Sequence, residues 1–143
     1  MINNFDFYIK ENLVRKSIPN PSMAKALFEK AETRLKRIIL EKPEIETASI
    51  IFEDIYECLR EASQSLMELF GYKPYSHEAL VSFLNDKKLL NPEKVNIINN
   101  FRILRNNSVY KADKISLEKC LEALKFAKEI LPEISKKLKE LLK

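Results

Sequence analysis

Apolar residues recur along this chain at intervals of three and four, the period of helices buried on one face. Phe5, Tyr8, Ile9 and Leu13 form the first such stripe and predict a helix over 3–16. Ile18-Pro19-Asn20-Pro21 interrupts it. Asn20 suits an N-cap and Pro21 the first helical position, so a second helix is expected over 21–41 on Ala24, Leu27, Phe28, Ala31, Leu35 and Ile38. Pro43 ends it, because proline disfavours helix at the residue before it. The longest stripe is Ala48, Ile51, Ile55, Leu59, Ala62, Leu66 and Leu69, predicting a helix over about 44–70 with Gly71 as its stop. Tyr72-Lys73-Pro74-Tyr75 reads as a loop, and Ser76 as the cap of a short helix over 77–86. Asn91-Pro92 repeats the earlier start and opens a helix to Tyr110 on Val95, Ile98, Phe101 and Leu104. Ser116 caps a final helix in which Pro132 is expected to make a kink or a division. Short connections between amphipathic helices predict an all-α fold, an antiparallel up-and-down bundle of about five main helices, as one domain over 1–143.

Composition narrows the function classes. A single glycine leaves little room for a phosphate-cradling loop, and argues against a P-loop or dinucleotide-binding fold. The net charge of +4 comes from interspersed acids and bases, which permits an anionic partner without demanding one. Cys58 and Cys120 each sit among apolar residues at helical spacing. They read as buried free thiols of a reducing compartment rather than a disulfide or zinc framework. No basic-then-apolar leader is visible at the start and no apolar run reaches membrane length, so the expected location is cytoplasmic.

Candidate chemistry concentrates at 101–110. Arg102 and Arg105 are three apart and share a helical face, with Asn106 four beyond Arg102. Guanidinium forks and an amide suit phosphate or carboxylate recognition. Tyr110 lies five beyond Arg105, so the two converge only if the helix ends or bends near Ser108. The competing reading has both arginines paired with acids of the long helix, Glu53, Asp54 or Glu57. Glu53, Asp54, Glu57 and Glu61 themselves read as a solvated face. His77, the one histidine, has no partner at a suggestive spacing and reads as structural or superficial. It cannot form a metal site alone, and neither a metal nor another cofactor is called for.

Residues 55–80 run from Ile-Tyr-Glu-Cys-Leu-Arg through Phe-Gly-Tyr-Lys-Pro-Tyr-Ser-His. With Leu104-Arg105-Asn106-Asn107-Ser108-Val109-Tyr110, they resemble the HEPN family (higher eukaryotes and prokaryotes nucleotide-binding), over roughly 22–131. The resemblance implies a helical bundle that dimerises, with a composite cleft in which active members cut RNA without a metal. There a histidine moves the 2′-hydroxyl proton and an arginine steadies the phosphate. It also implies a minimal nucleotidyltransferase as partner, in the manner of a toxin–antitoxin pair. Other members of the family only bind. Carried over, Arg105 matches the motif arginine, Asn106 its asparagine, and Glu53 or Asp54 the polar residue of the long helix. Tyr110 stands at the histidine position. A phenol with an ordinary pKa near 10 is a poor base at neutral pH. The resemblance therefore implies a homodimeric nucleotide- or RNA-binding protein with weak or lost nuclease activity. Arg102, Arg105, Asn106, Ser108 and Asp54 would bind, and Arg105 and Tyr110 would be the residues of any surviving catalysis. The alternatives are an active metal-independent endoribonuclease using Tyr110, and a non-catalytic helical adaptor.

Overall fold

The computed structural model describes residues 2–143. Among these residues six helices follow one another: α1 (Phe5–Lys10), α2 (Pro21–Leu40), α3 (Ala48–Leu69), α4 (His77–Asp86), α5 (Pro92–Lys111) and α6 (Leu117–Leu141). The expected all-α bundle is present, with α3 at its centre. The four caps read from the sequence all form. Asn20, Ser76, Asn91 and Ser116 accept the backbone N–H groups of Met23, Ala79, Lys94 and Lys119 at 2.9–3.0 Å. Each satisfies a donor that the first helical turn otherwise leaves without a partner.

Three expectations are corrected. The first helix stops at Lys10. Asn12 enters the left-handed region at φ 59°, and Val14–Lys16 becomes a strand, β1. It pairs antiparallel with β2, Tyr72–Pro74, in the register Val14↔Pro74 and Lys16↔Tyr72. A three-residue strand is too short to carry a period, and its partner lies far along the chain. The long helix begins at Ala48 rather than 44, because Glu44–Thr47 closes first into a turn, with the Glu44 N–H donating to Thr47 Oγ1 at 3.0 Å. Pro132 does not divide α6. It sits on the exposed side of the helix while Leu131, Ile134 and Leu138 stay buried around it, so packing holds the helix through the lost N–H.

The core surrounds α3. Its Ile51, Phe52, Ile55, Leu59, Leu66 and Met67 are all but inaccessible. Phe101 of α5 stands edge-on to Phe52 at 5.6 Å and to Phe126 of α6 at 5.7 Å, so one run of rings ties three helices together. A second aromatic group, Phe5, Phe70, Tyr72 and Phe83, fastens α1 and β2 to α4. Helices α2 and α3 run antiparallel: Arg37 reaches Asp54, Arg34 reaches Glu61, and Asn20 donates its N–H to the Glu68 carbonyl. Glu61 is fully buried, held by Arg34 Nε at 2.8 Å and Lys30 Nζ at 3.2 Å. The acidic run of the long helix is thus no solvated face. Burial requires that such charges be paired.

Gly71 ends α3 at φ 79°, and a Cβ there would lie 2.5 Å from the Ser17 carbonyl oxygen and 3.0 Å from Pro19 Cδ. Gly71→Ala combines left-handed strain with a backbone clash. It should cost at least ~2 kcal/mol in urea unfolding; a loss below ~0.5 kcal/mol would show that the 17–19 segment does not pack on Gly71. Arg34→Ala leaves the Glu61 carboxylate with only an exposed lysine and should cost about 3 kcal/mol. The double variant Arg34→Met, Glu61→Leu should recover most of that loss, and a double variant as unstable as the single would refute the pairing argument.

Candidate anion-binding site

Helix α4 starts at His77 because Ser76 caps it, and the β1–β2 pair holds that start beside Leu13, whose carbonyl accepts the Tyr75 N–H at 2.8 Å. Facing it, α5 presents Arg102, Asn106 and Tyr110 at successive steps of four, with Arg105 alongside. Together with Ser76, Glu78 and Leu13, these side chains line an open hollow of about 290 Å³. Tyr110 joins the hollow although the helix continues to Lys111 without a break. A row of residues four apart drifts only slowly around a helix, and the long side chains of Arg105 and Tyr110 span the remaining angle.

His77 is the residue that sequence reasoning missed. It is half-buried, its ring stacked on that of Tyr56 at 5.6 Å and 11°, with Tyr56 Oη 2.9 Å from Nδ1. No spacing could have revealed this, since His77 and the arginines belong to different helices. Burial pushes the His77 pKa below its ordinary 6.5, and Arg105, Arg60 and Arg102 push it the same way, with Glu57 opposing. The imidazole is therefore neutral at neutral pH. Burial pushes the Tyr56 phenol up to about 12, against the pull of Arg102, Arg105 and Arg60. Tyr56 keeps its proton and, among the described residues, has only Nδ1 to give it to. With Tyr56 Oη–H as the donor to Nδ1, the proton of neutral His77 lies on Nε2 and the free ring nitrogen is a donor.

The arginines differ in their surroundings. Arg102 Nε donates to Asn99 Oδ1 at 2.9 Å, and its Nη1 lies 3.6 Å from Glu78 Oε1. Arg105 donates to Asn106 Oδ1 at 3.2 Å and lies 5.9 Å over the Tyr56 ring, but among the described residues it has no carboxylate partner. The pairing with Glu53, Asp54 or Glu57 that the competing reading requires does not occur. Glu53 accepts from Ser108 Oγ at 2.9 Å, Asp54 pairs with Arg37 of α2, and Glu57 with Arg60. Two candidate binding residues consequently lie elsewhere: Ser108 is buried against α3, and Asp54 faces α2. Tyr110 is three-quarters exposed, with no hydrogen bond to a described residue. Among the described residues no group of three or more His, Cys, Asp and Glu side chains gathers to hold a metal, and no helix is long and apolar enough to cross a membrane. Cys58 and Cys120 are buried and free, and burial pushes the Cys58 thiol up to about 12.

No family model matches this chain, and no curated protein or solved structure is significantly similar to it.

As the one histidine, His77 can be titrated by proton NMR without overlap. Its midpoint should fall below 6.5 in the wild type and move back toward 6.5 in Arg105→Ala; a midpoint at or above 6.5 would overturn the assigned environment. The folded state binds this proton less readily than the unfolded chain, so stability is full above 6.5 and is lost as the pH falls toward the lowered folded value. His77→Asn should flatten that part of the stability–pH curve.

Proposed function

We propose that the hollow between α4 and α5 binds the phosphate of a nucleotide or RNA, and that the chain is a HEPN-like binding protein. The observation that carries this reading is Arg105: a half-buried guanidinium with no carboxylate partner among the described residues, opening onto a hollow. Buried or half-buried charges are otherwise paired, and the half-buried Arg34, Arg60 and Arg102 all have acids within 4 Å. An anion would supply the missing charge. Asn106 and the Nε2–H of His77 add neutral donors, which bind anions without requiring protonation. Glu78 offsets part of the charge of Arg102 and leaves Arg105 as the principal contact.

Binding fits the proton inventory better than base catalysis does. With its proton on Nε2, His77 offers the hollow no lone pair, and a phenol at position 110 is a weak base at neutral pH. The homodimer, the minimal nucleotidyltransferase partner and the toxin–antitoxin setting rest on the resemblance of 55–80 and 104–110. The cytoplasmic location is proposed on the same footing, and two unpaired thiols suit its reducing conditions. One observation supports the second reading, a metal-independent endoribonuclease. An imidazole does share the hollow with two guanidinium groups, though it is His77 and not a residue of the arginine motif.

At low salt, Arg105→Ala should weaken binding of a labelled single-stranded RNA by about tenfold or more, the scale of a charge-assisted contact, and reduce the salt slope by about one. Helicity and melting should hardly move, because no internal ion pair is broken. Unchanged affinity would refute the assignment. Incubation of an RNA pool in the presence of chelator separates the two readings: intact RNA supports binding alone, whereas cleavage abolished by His77→Asn would establish the ribonuclease.

A further inference from the structure

Away from the hollow, α2 and α6 border an open groove of about 780 Å³. Its floor is apolar, made by Leu35, Ile39, Leu131 and Pro132. Its rim holds five lysines, Lys128, Lys136 and Lys139 among them, against two glutamates. None of the five makes an ion pair among the described residues, whereas Glu140 is within 3.9 Å of Lys137 outside the groove. Along α6 the lining runs from Lys128 to Glu140, with Lys143 just past the helix end. At 1.5 Å per residue the helical part is about 18 Å, or a little over three turns.

We propose that this groove docks an acidic amphipathic helix of a partner protein. The length of the lining and the spread of lysines along it suit an extended partner, not a single headgroup. An apolar ridge would cover Ile39 and Leu131, and flanking carboxylates would meet the unpaired lysines. A second copy seated through the same face would set lysines against lysines. A flat membrane surface would reach the rim but not the floor. Ile39, at 45% exposed, and the neighbouring Leu40, at 87%, are large apolar side chains that such a helix would remove from water.

The test uses the full chain and a fluorescein-labelled peptide of about 18 residues, five helical turns, with leucines at i, i+3, i+4 and i+7 and glutamates beside them. Its counterpart carries lysine for each glutamate. In fluorescence anisotropy at about 50 mM salt, where charge attraction is little screened, the glutamate peptide should saturate and the lysine peptide should not. Ile39→Asp, and separately Lys128→Glu with Lys136→Glu, should weaken binding by about tenfold or more, the cost of an interface anchor. These positions are exposed, and unchanged circular dichroism would confirm that the variants fold. Arg105→Ala should leave peptide binding unchanged, which keeps this site separate from the hollow. Equal binding of both peptides, or glutamate-peptide binding indifferent to the groove variants, would overturn the proposal. So would a dimer that Ile39→Asp splits, which would give the groove to a second copy. Binding to phosphatidylserine vesicles that the groove variants abolish, with no binding of the peptide, would overturn it in favour of a membrane.

Discussion

Helix α3 is buried on nearly every side, and the rest of the molecule is arranged around what that burial demands. Fourteen of its twenty-two residues are buried, yet the helix carries several polar and charged side chains. Each that leaves water needs a partner within reach. Glu61 takes Arg34 and Lys30 from α2. Glu68 takes Lys73 from β2. Tyr56 takes His77 from α4, Glu53 takes Ser108 from α5, and Ser49 takes the Ile115 N–H before α6. One helix thus fixes the azimuth of each neighbour by a polar contact, while its apolar side chains supply the non-directional attraction. Ser63 Oγ is the one buried side-chain polar atom left without a partner among the described residues.

The candidate site is a by-product of that arrangement. Tyr56 lies under both His77 and Arg105. The same Tyr56 side chain bonds the imidazole through its hydroxyl and supports the guanidinium through its π-face. Packing uses up the acids: Glu53, Asp54 and Glu57 are each held elsewhere, and among the described residues Arg105 is the half-buried guanidinium left over. An unspent half-buried charge is informative because the alternatives for it are few. The groove between α2 and α6 presents the same logic at the surface, as lysines with no ion pair among the described residues stand over an apolar floor.

Much of the fold was legible from local chemistry. The caps at Asn20, Ser76, Asn91 and Ser116, the stop at Gly71 and the stripes of five long or short helices depend on residues within one turn of each other. Chain-local physics decides them. Val14–Lys16 and Tyr72–Pro74 were not legible, since neither segment has a period and each is a strand only because the other is beside it. Arg102, Arg105 and Asn106 were identifiable because they share a helix face, and Tyr110 because it stood in a motif. The misplacement of Ser108 and Asp54 came from the same limit. Composition marks a residue as polar, but the rotation of its helix against its neighbours decides whether it faces a hollow or a partner.

The sequence by itself determined the class of fold, the capped starts of four helices, the stop at Gly71, and a guanidinium pair suited to an anion. These follow from propensity, capping and spacing, whose range is a few residues. Only the tertiary structure decided that His77, bonded to Tyr56, lines the hollow, that Glu53, Asp54 and Glu61 are committed to other helices, and that Arg105 has no acid partner among the described residues. Those outcomes depend on contacts between segments tens of residues apart, where burial forces each charge to find a partner or to wait for one.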